Sequence, residues 1–176
     1  MPHLNIEIKA CCEDAARARE LLDSRNAEFR GEDHQTDTYF VCPNGRLKLR
    51  EGDIENSLIF YDRENAFGPR DSHVSLLRTG PGEVPAALKE ILSNALGVLV
   101  TVEKTREIYF IGNVKFHIDT VRGLGTFVEI EAIDETGTIG REELMRQCSE
   151  YIELLGITQK DMLDCSYSDM VLELEA

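Results

Sequence analysis

Asn5-Ile6-Glu7-Ile8-Lys9 alternates polar with apolar residues, so a strand here sends Asn5, Glu7 and Lys9 to one face and Ile6 and Ile8 to the other. The polar face carries an acid and a base. The same habit recurs in Lys48-Leu49-Arg50, Tyr61-Asp62-Arg63, Lys104-Thr105-Arg106, Lys115-Phe116-His117-Ile118-Asp119 and Glu129-Ile130-Glu131. Taken alone, each pair reads as a solvated strand face. Several strands breaking the same way point instead to one shared, charged interior surface. The opposite face, with Ile6, Ile8, Leu47, Leu49, Phe116, Ile118, Val128 and Ile130, is apolar and requires a cover.

Working outward, Glu13 to Glu28 has helical spacing in Ala15, Ala18, Leu21 and Leu22, with acids near its start. Gln35 to Val41 reads as a strand, while the residues before it, from Phe29, are mixed. Pro43-Asn44-Gly45 marks a turn into a hairpin of Arg46 to Glu51 and Leu58 to Arg63. Asn65 to Ser72 reads as a loop around Gly68 and Pro69, followed by a short strand, His73 to Arg78. Val84, Leu88, Ile91, Leu92 and Ala95 make a second amphipathic helix closed by Gly97. Strands Val98 to Ile111, Val114 to Val121 and Gly125 to Ile133 follow, joined at Gly112-Asn113 and Arg122-Gly123-Leu124-Gly125. Leu144, Cys148, Tyr151 and Leu155 give a third helix, and a short helix is expected near Ser166 to Asp169.

These elements predict an α+β protein: an eight-stranded antiparallel β-barrel with a charged, wet lumen, and amphipathic helices packed on its outer face. At 176 residues one domain over residues 1–176 accounts for the chain. The net charge of −14 argues against nucleic acid or an anionic membrane as partner, since phosphate backbones are bound by positive faces. Bases gather on the strand faces and acids on segments such as Glu142, Glu143, Glu150 and Glu153. An acidic exterior around a basic interior would hold a small, highly charged anion. The five cysteines show no C-x-x-C spacing and read as reduced thiols. No apolar run of bilayer length and no leader-like segment stands out, so the expected location is the cytoplasm, and a homodimer is left open.

The bases Lys9, Lys48, Arg50, Arg63, Arg70, Lys104 and Arg106 suit phosphate oxygens, Arg through its fork and Lys as a point charge. The acids Glu7, Asp119, Glu129 and Glu131 suit Mg²⁺ or Mn²⁺, which prefer oxygen donors and bridge phosphates. Both sets in one lumen make a metal–polyphosphate site. His117 reads as a wall or hydrogen-bonding residue, and Tyr39 and Tyr61 as packing groups.

In order along the chain, Asn5-x-Glu7-x-Lys9, Gln35-x-Asp37-x-Tyr39-Phe40, Leu47-Lys48-Leu49-Arg50, Tyr61-x-Arg63, Lys104-x-Arg106, Asp119, Gly123-Leu124-Gly125 and Glu129-x-Glu131 resemble the CYTH superfamily. These are the triphosphate tunnel metalloenzymes, including class IV adenylate cyclases and thiamine triphosphatases; Gly45 to Glu51 and Val121 to Glu131 are most similar to the class IV cyclase branch. The resemblance implies an eight-stranded tunnel acting on triphosphates with Mg²⁺ or Mn²⁺. It further implies catalytic roles for Lys9, Lys104 and Arg106. Asn5 departs from that superfamily's E-x-E-x-K pattern with a neutral amide where the first acid stands.

Three functions follow as expectations. The first is an adenylate-cyclase-like enzyme making cAMP and pyrophosphate from ATP, with hydrolysis of thiamine triphosphate, tripolyphosphate or a nucleoside triphosphate as its alternative. The second is a triphosphate-binding module without turnover. A lipocalin-like carrier, the third, conflicts with a charged lumen.

Overall fold

The computed structural model describes residues 3–62 and 67–176. Among them, eight strands close into an antiparallel barrel: β1 (His3–Cys11), β2 (Glu28–Phe40), β3 (Arg46–Gly52), β4 (Ser57–Asp62), β5 (Arg70–Arg78), β6 (Val98–Ile111), β7 (Val114–Val121) and β8 (Gly125–Asp134). The order around the barrel is β1-β5-β4-β3-β2-β6-β7-β8, with β8 returning to β1. The four helices are α1 (Ala15–Ser24), α2 (Glu83–Leu96), α3 (Arg141–Leu154) and α4 (Tyr167–Glu175). Closure leaves no open sheet edge.

The expected barrel is therefore present, and its apolar outer face is covered where β1, β6, β7 and β8 run. Ile6, Ile8, Phe116, Ile118, Val128 and Ile130 pack with Ala18 and Leu22 of α1 and Leu144 and Cys148 of α3. Phe116 meets the Tyr151 ring edge-on at 4.8 Å. The two-residue turn Gly112-Asn113 needs the left-handed φ of 57° that Gly112 supplies without strain. Asn113 and Gln147 then exchange amide hydrogen bonds of 2.9 and 3.0 Å, pinning α3 to that hairpin.

Two strands differ from their expected extents. β2 begins at Glu28 rather than Gln35, because a bulge between Phe29 and Gly31 interrupts the period in a polar half that nonetheless pairs with β6. β5 begins at Arg70, within the stretch expected to be a loop; Gly68 and Pro69 end just before it. That extension sets Arg70 opposite Glu7 and Ser72 opposite Asn5.

One helix lies on the barrel but covers little of it. Of α2 only Pro85 is buried, and Val84 and Ile91 are more than half exposed. Its amphipathic spacing therefore marks a helix without an apolar neighbour to bury its full face. α4 lies over a smaller cluster instead, where Tyr167 packs with Tyr39, Val100, Val102, Val121 and Phe127. Its start is fixed by a capping box, Ser166 Oγ accepting from the Asp169 N–H and Asp169 Oδ2 from the Ser166 N–H. Arg46 of β3 also donates to Asp169 Oδ2 at 2.7 Å. The chain leading to α4 runs beside the end of β1, with Leu163 N–H on the Lys9 carbonyl and Cys11 N–H on the Asp161 carbonyl.

Candidate functional site

The lumen is a cavity of about 610 Å³. Alternation decides what lines it: inward positions of β1 contribute Asn5, Glu7 and Lys9; β3 contributes Lys48 and Arg50; β6, Lys104 and Arg106; β8, Glu129 and Glu131. The expected bases Lys9, Lys48, Arg50, Lys104 and Arg106 are thus brought together, as are the expected acids Glu7, Glu129 and Glu131. Arg70 is buried in the wall beside them, 3.8 Å from Glu7 and donating to the Leu163 carbonyl at 3.2 Å. Arg63 lies outside the described residues.

Asp119 is placed differently from the expected metal ligand. It is fully buried outside the cavity lining, in a two-point pair with Arg106 (2.7 and 2.5 Å), and also accepts from the Tyr167 hydroxyl at 2.9 Å. Both of its oxygens help to fix the Arg106 guanidinium. Burial would raise its pKa, but Arg106 holds the carboxyl below its usual range.

Sequence reading assigned no role to Asp37, yet it organises the cationic side of the lumen. Its Oδ2 accepts from Lys48 at 2.9 Å, Arg50 at 2.9 Å and Lys104 at 2.7 Å, while Oδ1 accepts from Arg50 at 2.8 Å. Burial opposes the charge on Asp37, but Arg50, Lys104 and Lys48 together hold it well below the carboxylate range. Burial pushes the Lys104 ammonium down to about 7; Asp37 offsets this only in part, against the neighbouring charges of Arg50, Arg106 and Lys48.

Glu55 was missed as well. Its loop is drawn inward because Asp33 accepts the N–H groups of Ile54 and Glu55, both at 2.9 Å. Gly52 permits this approach, since a Cβ there would come within 2.7 Å of Asp33 Oδ1. Glu55 consequently reaches Arg50 at 3.1 Å and Lys115, and those cations keep it ionised against burial. For Asp37 the inward alternation Asp33, Gln35, Asp37, Tyr39 was the available signal. Tyr167 had none, as a C-terminal helix gives no sign of reaching the lumen. Its ring centroid lies 3.5 Å from Lys9 Nζ, a cation–π contact.

Opposite the Asp37 cluster stands an acidic one. Ligand atoms of His117, Glu129 and Glu131 lie within 4.8 Å of one another. Glu131 is in register with Glu7 across β1 and β8. Glu129 also accepts from Arg106 at 2.8 Å and lies 3.4 Å from Lys9; burial disfavours its charge, yet Arg106, Lys9 and His117 hold it well below the usual range. His117 Nδ1 is 3.1 Å from Glu129, and its Nε2 is buried without a hydrogen-bond partner among the described residues. Burial, reinforced by Arg106 and Lys115, lowers the imidazole pKa, which favours the neutral ligand form. Carboxylate oxygens plus one neutral imidazole fit a divalent cation.

The lumen is not charged throughout. Ile59 and Tyr61 of β4 with Val74 and Leu76 of β5 form an apolar stretch of its wall. The expected charged surface therefore occupies part of the lumen.

These features define a class: a closed antiparallel β-barrel whose lumen, rather than whose core, gathers paired cations and carboxylates. The chain belongs to the CYTH domain family, whose profile matches residues 3–166. It is similar in structure to the PH1012 protein of Pyrococcus horikoshii, at 22% identity, with a TM-score of 0.77, covering 94% of this chain and 98% of that one. A Vibrio parahaemolyticus protein provisionally named an adenylate cyclase matches at 17% identity and a TM-score of 0.74, covering 96% and 97%. A Hippeastrum protein, provisionally named an adenylyl cyclase and described as having a dominant triphosphatase activity, matches at 14% identity and a TM-score of 0.55, covering 88% of each chain. At these identities the likeness is one of fold. The comparison with curated proteins finds no match. No helix among the described residues is long and apolar enough to cross a membrane.

Proposed function

We propose that this protein is a metal-dependent enzyme that cleaves a phosphoanhydride bond of an organic triphosphate held in the barrel. The observation that carries this reading is the convergence of Lys48, Arg50 and Lys104 on one oxygen of Asp37. Three cationic heads gathered around one anionic oxygen form a ready cradle for phosphate oxygens. Lys9 and Arg106 extend it toward Glu129, and Arg70 supports it from the wall beside Glu7. Arg63 is proposed as a further phosphate-binding residue on sequence grounds.

In this reading Glu7, Glu129 and Glu131, with His117, hold Mg²⁺ or Mn²⁺. Bound there, the ion would neutralise phosphate charge and polarise the reacting phosphorus. Asp119 and Tyr167 act through Arg106 and Lys9, keeping those cations aimed into the lumen. Lys9, Lys104 and Arg106 are proposed to stabilise charge developing on the transferred and leaving phosphates, and burial strengthens that effect.

Resemblance to the class IV branch favours attack by a ribose hydroxyl on the α-phosphorus, giving cAMP and pyrophosphate from ATP. Hydrolysis uses the same equipment with water as nucleophile, and the activity described for the Hippeastrum protein favours it as the second reading. Incubation with ATP, thiamine triphosphate and tripolyphosphate, each with Mg²⁺ and with Mn²⁺, tests the proposal by product identity. Cyclic nucleotide with pyrophosphate indicates the cyclase, and a diphosphate with phosphate the hydrolase. Stabilisation without product would reduce the protein to a binding module. The net charge of −14 supports a small triphosphate over nucleic acid or an anionic membrane as partner.

A further inference from the structure

Asn5 and Ser72 face each other in register on β1 and β5, and both line the lumen. Asn5 is 4% exposed and Ser72 1%. Asn5 Oδ1 and Ser72 Oγ have no hydrogen-bond partner among the described residues. A buried polar atom left unpaired is destabilising, and small apolar residues at both places would remove that penalty. Two such atoms side by side therefore point to a ligand that pairs with them.

Their position says which part of a ligand that is. Along β1 and β5 the neighbouring pair is Glu7, which lines the lumen, and Arg70 in its wall, one strand repeat of about 7 Å away on the charged side. In the other direction β5 continues inward as Val74 and Leu76, which face Tyr61 and Ile59 of β4. Ile133 of β8 lies in register with Asn5 on its other side. Asn5 and Ser72 thus stand where the ionic half of the lumen gives way to its apolar wall. An amide offers both donors and an acceptor, and a hydroxyl offers one of each. With Val74, Leu76, Ile133, the Tyr61 ring and His3 on one side and Glu7 on the other, this is the environment of a flat, hydrogen-bonding heterocycle joined to a charged group.

We infer that Asn5 and Ser72 form the recognition site for the heterocyclic group of an organic triphosphate, so that the amide at position 5 selects substrate. This inference rests on the triphosphate reading above and adds the residues that tell a triphosphate ester carrying a hydrogen-bonding ring from inorganic tripolyphosphate.

Calorimetric titration with Mg²⁺ present tests it, using ATP, GTP, CTP, thiamine triphosphate and tripolyphosphate on the wild type, Asn5→Ala and Ser72→Ala. The expected result is that at least one organic triphosphate binds the wild type at least about tenfold more tightly than tripolyphosphate does. Each substitution should weaken that ligand about tenfold, the effect of one lost hydrogen bond, and leave the tripolyphosphate Kd unchanged. The unchanged Kd also shows that the variants are folded. Equal wild-type affinity for organic and inorganic ligands, or variants that weaken all ligands alike, would overturn the recognition role while the triphosphate reading stands. A wild type that binds none of the ligands would overturn both.

Discussion

Lys104 Nζ lies 2.7 Å from Asp37 Oδ2, and this pair is the centre from which the cationic side of the lumen is built. Lys48 and Arg50 lean on the same carboxylate. Asp37 therefore supplies these heads with the negative charge that, in the proposed function, phosphate oxygens also bring. Asp37→Asn should take the shared counter-charge from Lys48 and Arg50, and from Lys104 where it is protonated, at a cost of about 3–5 kcal/mol. Tripolyphosphate should restore much of that loss, because it supplies the missing negative charge. Urea unfolding with and without the ligand measures both effects. A variant as stable as the wild type, or one that tripolyphosphate fails to rescue, would remove Asp37 from this role.

Lys104 also predicts how binding depends on pH. Its ammonium, pushed down to about 7, is largely neutral at pH 8 in the free protein, and a bound triphosphate favours the charged form. Binding at pH 8 should therefore take up as much as about one proton at this residue, and affinity should rise as pH falls toward 7. The sign for stability is consistent: the unfolded lysine binds its proton more tightly than the folded one. The contribution of Lys104 to stability thus grows as pH rises from about 7 to the ordinary lysine value of 10.5. Calorimetry in buffers of different ionisation enthalpy reads the proton uptake. Lys104→Arg, permanently charged, should lose that part, and equal uptake in both proteins would assign the proton elsewhere.

Tyr167 makes two separable contributions. Tyr167→Phe keeps a ring beside Lys9 but loses the hydroxyl bond to Asp119, costing about 0.5–1.5 kcal/mol. Tyr167→Ala removes the ring from the cluster of Tyr39, Val100 and Phe127 too, and should cost about 3–5 kcal/mol. Thermal unfolding of the two variants compares them. Equal losses would mean that the ring contributes nothing beyond its hydroxyl.

The barrel was legible because period-2 alternation survives wherever one strand face is ionic and the other apolar, as in Asn5 to Lys9 and Lys115 to Asp119. It failed where the period was broken. The bulge at Gly31 hid the first half of β2, and Gly68-Pro69 obscured the start of β5. The charged half of the lumen could be read for the same reason as the strands. Its apolar wall could not, because Ile59, Val74 and Leu76 look like ordinary core residues until the pairing of β4 and β5 shows which way they face. Asp119 has the strand position of an inward acid, and the alternation alone does not tell a lumenal carboxylate from one set behind an arginine. Only the structure shows that Arg106 and Tyr167 already occupy its oxygens. Glu55 lies on a loop, where no periodicity assigns a direction.

The acidic cluster yields the last prediction, because its two β8 carboxylates are held differently. Glu129 is tied to Arg106, Lys9 and His117, whereas Glu131 sits 3.8 Å from His117 with its side chain 22% exposed. Glu131→Gln should therefore change stability by no more than about 0.5 kcal/mol, as at sites outside a buried network. It should still weaken Mn²⁺ binding at least about tenfold by removing a charged ligand. Glu129→Gln should weaken Mn²⁺ binding similarly and also cost about 3 kcal/mol, since Arg106 and Lys9 lose a buried counter-charge. Mn²⁺ titration followed by electron paramagnetic resonance gives the affinities independently of any turnover, and urea unfolding gives the stabilities. Wild-type Mn²⁺ affinity in both variants would mean that this pair serves the cations of the lumen and not a metal ion.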